Sequence, residues 1–249
     1  MDNTISIQRR DFVWFQYGVI TTFLPLTLLL YIYENIRGVD SFAYAFRVFD
    51  AGREGSLSTW FSSINLLLSA LFLFCIFAAS RKRSKERSLY WLILGVIFLA
   101  LSIDEVAELH ERSHKFFELL VMILPADIAS PKFRESDFYH LLSFNWVTMG
   151  ALFSIIVFIF FLPFLRNLSP RTAGLFLLAG ALFVGGAVGF EAIGVWMNYQ
   201  DIAQRGDFLF EVRRVFEEAG EMYGIAVFNC ALFNVLSEGN RTLTMVLPH

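Results

Sequence analysis

Six apolar runs dominate the sequence, and each is long enough to cross the hydrocarbon core of a membrane, which takes about 20 residues of helix. They cover residues of about 13–33, 58–80, 89–110, 144–165, 172–197 and 215–236. With 56% hydrophobic residues, the chain falls outside the class of soluble globular proteins. We therefore predict an all-α fold, in which residues 1–249 form a single domain built as a bundle of six transmembrane helices.

The connections between the runs indicate how the chain is oriented. The short segments after the second and fourth runs, RKRSKERS and RNLSPR, are rich in Lys and Arg, which the positive-inside rule places in the cytoplasm. Because the number of spans is even, both termini are predicted to be cytoplasmic as well. We expect a multi-pass protein of the cell (inner) membrane.

Two segments predicted to lie on the outer side are too short to span. Residues 41–49, SFAYAFRVF, are rich in aromatic side chains, and residues 114–124, HKFFELLVMIL, are almost wholly apolar. Both are predicted to form short interfacial helices. The lipid bilayer is thus the expected partner, whereas a net charge of −3 gives no reason to expect nucleic-acid binding.

Acidic side chains occur deep within three of the runs. A helix rises about 1.5 Å per residue, which places Asp104 roughly 26 Å along the third run from Arg87. By the same measure, Glu191 lies roughly 30 Å along the fifth run and Glu221 about 26 Å along the sixth. All three therefore reach one depth, in the outer leaflet, where a carboxylate is costly and is a functional-site hypothesis by default.

Carboxylates that cluster at one depth repel one another unless a cation binds between them. The sequence therefore predicts a metal site. Carboxylates with an imidazole suit iron, manganese, zinc or calcium as a divalent metal ion. The predicted ligands are Asp104, Glu105, His110, Glu111, Glu191, Glu217, Glu218 and Glu221. Glu111-x-x-His114 has the spacing found in two-metal helix bundles, but the sixth run offers Glu218-x-x-Glu221 instead of a second such motif. The number of metal ions therefore stays open, and no catalytic residue is assigned.

Small residues line two faces of the fifth run. Glu191 shares one face with Gly180 and Gly194, and the opposite face carries Gly185 and Gly189. Small residues let neighbouring helices approach closely, so we predict that this run is the central helix of the bundle.

A simpler interpretation of the acids is that they are solvated helix ends. Glu108 and Arg112 have the spacing of an ion pair on a helix, and Arg213 or Arg214 could pair with Glu217 and Glu218. In that case the acids need no metal.

Four motifs carry a resemblance to known sequences: EGSLSTWFSS at 54–63, SIDEVAELHE at 102–111, GGAVGFE at 185–191 and EEAGEMYG at 217–224. The chain resembles uncharacterised bacterial membrane proteins with six helices, in which Asp-Glu…His-Glu and Glu-Glu…Glu motifs recur. This resemblance implies a fold and a site at those motifs, but it implies no reaction.

Three interpretations of function remain open. The first is a metal-dependent enzyme acting on a lipid or another membrane-soluble substrate. The others are a non-catalytic subunit of a membrane complex and a transport protein that binds protons or cations. The inner halves of the third and fifth runs are almost without polar residues, which disfavours transport. An enzyme would have to use a bound metal or paired carboxylates, because the sequence has no Gly-x-Ser-x-Gly nucleophile motif.

Overall fold

The computed structural model describes residues 4–53, 55–81, 85–109, 145–240 and 242–246. In this part of the chain, six helices are long and apolar enough to cross a membrane, which confirms the predicted fold class. The helices are α1 (Arg9–Arg37), the short α2 (Ser41–Phe46), α3 (Leu57–Ser80), α4 (Lys85–Ala107), α5 (Asn145–Arg166), α6 (Pro170–Val184), α7 (Glu191–Tyr199) and α8 (Phe208–Leu236). A π-helix, Gly185–Phe190, joins α6 to α7, so that these elements form one span.

The segment 41–49 contains the short helix that its composition predicts. It forms α2, followed by a 3-10 helix, Arg47–Phe49. Asp40 caps α2 by accepting a hydrogen bond from the backbone N–H of Ala43 at 2.8 Å, which lowers the pKa of the Asp40 carboxyl. The second predicted interfacial segment, 114–124, lies outside the described residues.

Two short strands were not predicted. β1 (Thr4–Gln8) and β2 (Thr242–Val246) pair antiparallel, with Thr4 opposite Val246. The pairing brings the two ends of the described chain together on one side of the bundle, which is compatible with an even number of spans. Their cytoplasmic location stays a prediction.

The centre of the bundle is α8, and the prediction that the fifth span is central is wrong. In the most apolar window of each span, 50% of α8 is buried but only 17% of the α6–α7 span. A Cβ added to Gly185 or Gly189 would meet nothing within 4 Å. Small residues do occur on both faces of this span, but these two glycines lie on an exposed face.

The close helix contact is made instead by Gly186 against Gly220 of α8, and Gly224 of α8 packs against the backbone of Phe183. A Cβ on Gly186 would lie 2.6 Å from the carbonyl oxygen of Glu217, and one on Gly220 would lie 2.9 Å from the Cα of Gly186. A Cβ on Gly224 would come within 2.7 Å of the backbone nitrogen of Phe183. Gly220 and Gly224 have the small-xxx-small spacing of close helix pairs, so this contact has a sequence signal that the prediction did not use.

A polar network crosses the middle of the bundle. Gln16 of α1 donates to Asn65 of α3 at 2.6 Å, and Ser69 donates to Asn229 of α8 at 2.7 Å. Asn229 in turn donates to the backbone oxygen of Asn65 at 3.1 Å. All four side chains are buried, so the hydrogen bonds hold α1, α3 and α8 in register inside an apolar core.

Helix α4 ends earlier than predicted. Its last residue is Ala107, and Glu108 adopts a left-handed backbone conformation with φ of 52°. The apolar run predicts a helix to about residue 110, and the structure ends this helix three residues earlier.

Helix α5 packs on α4 mainly through aromatic rings near its C-terminal end. The ring of Phe164 lies 4.7 Å from that of Trp91 and 5.4 Å from that of Tyr90. Residues of α5, among them Phe153 and Phe158, also line a large cavity between this helix and the rest of the bundle.

Candidate functional site

The charged part of the site is built on the N-terminal half of α8, which begins at Phe208, seven residues before the predicted start. This extension places Arg213 on the same helix as Glu217 and Glu221, at intervals of four residues. Residues four apart lie on one face of a helix, so the arginine and the two acids point in a similar direction.

Arg213 is the cation at the centre of the acidic group. Its Nη1 lies 3.1 Å from Oε2 of Glu191 and 2.8 Å from Oε2 of Glu217, and it also donates to the backbone oxygen of Phe190 at 2.6 Å. The side chain is only 6% exposed. It is held between Gly194, where a Cβ would lie 2.6 Å from the guanidinium carbon, and the ring of Phe210. Arg213 thus ties α8 to the start of α7.

Because Glu191 and Glu217 both contact the same Nη1 of Arg213, their carboxyl groups lie close together. Glu221, one turn deeper in the membrane, has Glu218, Glu105, Glu217 and Glu191 as its strongest electrostatic neighbours. Glu105 comes from α4, so three spans contribute acids to one place, as the depth argument predicts.

A second arginine, Arg214, supports the part of the site next to the N-terminal end of α3. Arg214 pairs with Glu211 at 2.9 Å and packs against Gly52, where a Cβ would lie 2.9 Å from the guanidinium carbon. The neighbouring Asp50 accepts hydrogen bonds from Tyr31 at 2.5 Å and from the N–H of Gly52 at 3.1 Å. Burial raises the pKa of the Asp50 carboxyl. The connection between α2 and α3 is thereby fixed over α8.

A cavity of about 970 Å³ lies between α4, α5, the α6–α7 span and α8. This volume is at the upper end of the range of about 300–1,000 Å³ that small-molecule sites occupy. Its charged lining consists of Asp104, Glu105, Glu191, Glu217, Glu218, Glu221, Arg53, Arg205, Arg213 and Arg214. The cavity therefore contains the acidic group as part of its wall.

The rest of the cavity is apolar and extends deep into the bundle. Its aromatic lining consists of Phe98, Phe153, Phe158, Phe161, Phe164, Phe176, Phe183, Phe210 and Phe228. Glu191 and Phe176 are 15 residues apart on one span, which corresponds to about 22 Å along a helix. The cavity thus combines a polar end with an apolar part long enough to hold a hydrocarbon chain.

Of the eight predicted metal ligands, the structure brings Asp104, Glu105, Glu191, Glu217, Glu218 and Glu221 to this cavity. His110 and Glu111 lie outside the described residues. Within the described residues, no group of three or more His, Cys, Asp and Glu side chains is placed so that it could hold a metal ion. Metal binding accordingly stays a prediction.

The prediction leaves out one motif. Residues 110–114 read HERSH, which has the His-Glu-x-x-His spacing of zinc-binding helices, in which two imidazoles bind the metal and the Glu acts as general base. The predicted ligand set contains His110 and Glu111. In this motif, by contrast, the two metal ligands would be His110 and His114, and Glu111 would not bind the metal. The motif lies wholly outside the described residues.

Comparison with known proteins identifies a family but no activity. No curated protein and no solved structure matches the chain. The model of a family described as a domain of unknown function, DUF8692, matches residues 19–236. This match covers all of the charged cavity wall and most of the six spans, in agreement with the predicted uncharacterised family. The chain belongs to the DUF8692 family.

Proposed function

We propose that this membrane protein binds an amphipathic, membrane-soluble molecule, with the polar head of that molecule at the carboxylates and arginines and its hydrocarbon chain along the aromatic wall. The observation that carries the proposal is that one continuous cavity contains both kinds of lining. Ligand sites are mostly apolar with a few polar groups that fix orientation, and this cavity has that composition.

The position of the polar network supports a binding site over a transport path. Gln16, Asn65 and Asn229 lie in the middle of the bundle, but they are not among the residues that line the cavity. The deep part of the cavity is walled by phenylalanine, which offers an ion or a proton no ligand. An amphiphile fits this distribution better than a migrating ion does.

Two glycines of α6 provide a matched test of the proposal. Gly180 lines the cavity and Gly174 does not, and a Cβ on either would meet nothing within 4 Å. Gly180→Phe should fill part of the cavity and reduce photolabelling of the purified protein by a diazirine-bearing fatty alcohol about tenfold. Such a loss corresponds to about 1.4 kcal/mol of binding free energy.

Gly174→Phe is the control, because it adds the same side chain to the same helix away from the cavity. It should label like the parent, with the labelled peptides mapping to α4, α5, the α6–α7 span or α8. Equal labelling of both variants, or labelling of the parent confined to other helices, would contradict the proposal.

A second candidate function is favoured by the acids near Glu221: among the described residues, its strongest electrostatic neighbours are Glu218, Glu105, Glu217 and Glu191. We propose that a divalent cation, with zinc now favoured by the His110–His114 spacing, joins them and makes the protein a metal-dependent enzyme acting on the same amphiphile. Zinc enzymes with two such imidazoles take a third protein ligand, commonly a Glu, and the candidates for this role in the cavity wall are Glu105, Glu218 and Glu221.

Metal analysis tests this candidate directly. The parent should retain about one divalent ion per chain after purification, and Glu221→Gln should lower its metal affinity about ten- to a hundred-fold or more. Glu238→Gln, at the exposed end of the chain beyond α8, should retain the metal. A parent without bound metal, or the same metal content in both variants, would exclude a metal-dependent activity.

A further inference from the structure

The cavity is not equally enclosed by all the spans that line it. Its lining residues on α4 and α8 are buried or half-buried. Among the described spans, exposed lining residues occur on α5 and α6 alone, and they are Phe153, Ile155, Phe158, Leu177, Gly180 and Ala181. These two helices are consecutive in the chain and are joined by the short turn 167–169. The cavity is therefore least enclosed where α5 and α6 run side by side.

The lining of α5 continues onto its exposed surface at one edge. With 3.6 residues per turn, Phe161 lies near the middle of the lining face and Ile155 at its edge. Next to Ile155 around the helix is Ile159, which is 59% exposed and does not line the cavity. The opposite edge of α5 faces α4, where the rings of Phe164 and Trp91 lie 4.7 Å apart. Helix α4 thus covers one edge of α5 and leaves the edge at Ile155 uncovered.

Helix α6 has a matching edge. Ala179 is buried against α8, since a Cβ on Gly224 would lie 2.9 Å from its backbone oxygen. Ala181 lies about 200° further around the helix, lines the cavity and is exposed. Beside it, Leu178 is 50% exposed and does not line the cavity. One edge of α6 is thus covered by α8, and the edge at Ala181 is continuous with the exposed surface.

The two uncovered edges lie at one level of the bundle. Ile155 is eleven residues before Arg166, the end of α5, and Ala181 is eleven residues after Pro170, the start of α6. Both residues are therefore about 16 Å along their helices from the turn that joins them. The other edges face α4 and α8, so the edges at Ile155 and Ala181 face each other. An opening in the cavity wall lies between them, within the apolar part of both spans.

We propose that the amphiphile is a lipid of the surrounding bilayer, and that its hydrocarbon chain enters the cavity sideways through the opening between Ile155 and Ala181. This inference rests on the proposed function, since it states where the ligand of the same cavity comes from. A chain on this route stays among apolar groups throughout. A chain that entered past the charged wall would first leave the bilayer for water, which is unfavourable for every methylene.

The polar head of such a lipid does not have to cross the apolar part of the bundle. The α6–α7 span leads from the turn 167–169 to the end of the bundle where α8 and its charged residues begin. Because α5 and α6 are antiparallel, α5 begins at that same end. The head therefore stays at this end of the bundle while the chain moves sideways between α5 and α6.

Reversible closure of the opening tests the inference. In a protein with Cys75→Ser and Cys230→Ser, which lacks both natural cysteines, Ile155→Cys and Ala181→Cys are joined by bis(methanethiosulfonate) reagents of increasing length. In phosphatidylcholine vesicles, cross-linking before addition of the diazirine-bearing fatty alcohol should remove most of the photolabelling of the cavity, and a reductant should restore it. If the probe is added first, the cross-link should retain it against a chase with excess hexadecanol.

The matched control joins the same two edges nearer the turn. Leu162→Cys and Gly174→Cys each lie four residues from the helix end, on the same edges but outside the cavity lining. This cross-link restrains α5 and α6 equally and should leave labelling unchanged. Unchanged labelling after the Ile155–Ala181 cross-link, an equal loss with the control, or failure of Ile155→Cys and Ala181→Cys to join with any reagent would overturn the inference.

A single substitution decides the question if the cysteine variants do not fold. Ala181→Trp should slow labelling relative to the parent, because its ring would stand in the opening. Leu178→Trp adds the same ring to the exposed surface beside it and should label at the rate of the parent. Equal rates for both variants would show that the chain enters elsewhere, with amphiphile binding intact. Failure of the probe to label the cavity of the parent would instead refute the proposed function.

Discussion

Replacement of Arg213 by methionine should destabilise the protein by about 3–5 kcal/mol, the usual cost of removing one partner from a buried ion pair. The side chain is only 6% exposed, and its Nη1 lies 3.1 Å from Glu191 and 2.8 Å from Glu217. Methionine retains much of the apolar volume but leaves both carboxylates without this cation. The midpoint of thermal unfolding in detergent should fall by roughly 6–20 °C.

Two further variants show whether the loss comes from charge. Arg205→Met removes an arginine that also lines the cavity but is exposed, so it should change stability by less than about 1 kcal/mol. The double variant Arg213→Met/Glu217→Gln should recover part of the stability, because one of the two orphaned charges is removed with the arginine. If Arg213→Met lowers the free energy of unfolding no more than Arg205→Met does, the ion pairs of Arg213 contribute little to stability.

The role of Arg213 changes how the predicted metal site is understood. Glu191 and Glu217 share one guanidinium, which offsets one of their two negative charges and so weakens the argument that they need a metal. Glu221 differs from these two acids, because its strongest electrostatic neighbours among the described residues are other carboxylates. Of the six predicted ligands that the structure describes, Glu191 and Glu217 are thus explained in part by their ion pairs with Arg213, and Glu221 is the acid on which the metal-binding proposal depends most.

The position of each acid along its helix is the property of the site that the sequence predicts well. The rise of a helix converts residue number into distance along a span, so counting residues is enough to place Asp104, Glu191 and Glu221 at one level. Pairing of Arg213 with Glu217 is predictable too, because a spacing of four residues brings side chains together on a helix. The structure contains both the acidic group and this ion pair, which the sequence alone presents as alternatives.

Rotation of the helices and the choice of neighbours could not be predicted in the same way. Small residues mark every face that could pack closely, and the fifth span has them at Gly185, Gly186 and Gly189. Only the partner helix decides which of them is used, and here it is Gly186, because Gly220 of α8 faces it. The early end of α4 at Ala107 escaped prediction as well, since Glu108 is not a residue type that usually ends a helix with positive φ.

Gly186→Ala should destabilise the protein by about 1–3 kcal/mol, the cost of an added methylene in a close-packed contact. The new Cβ would lie 2.6 Å from the carbonyl oxygen of Glu217 and 2.8 Å from the backbone nitrogen of Glu221. Because these contacts are with backbone atoms, no side-chain rotation relieves them, and the π-helix must move away from α8. The movement would separate Glu191 from Arg213, so photolabelling of the cavity by the fatty alcohol probe should fall as well.

Gly185→Ala is the matched control, one residue away in the same π-helix. A Cβ there would meet nothing within 4 Å, so no contact opposes it. Alanine is favoured over glycine in helices by roughly 0.5–1 kcal/mol, so this variant should be as stable as the parent or slightly more stable. The two substitutions are chemically identical and should act in opposite directions on the midpoint of thermal unfolding. If both variants destabilise the protein equally, the π-helix resists any added side chain, and the close approach to α8 is not the cause. If neither variant destabilises it, α8 does not pack closely against Gly186, and this contact does not hold the acids of α7 and α8 together.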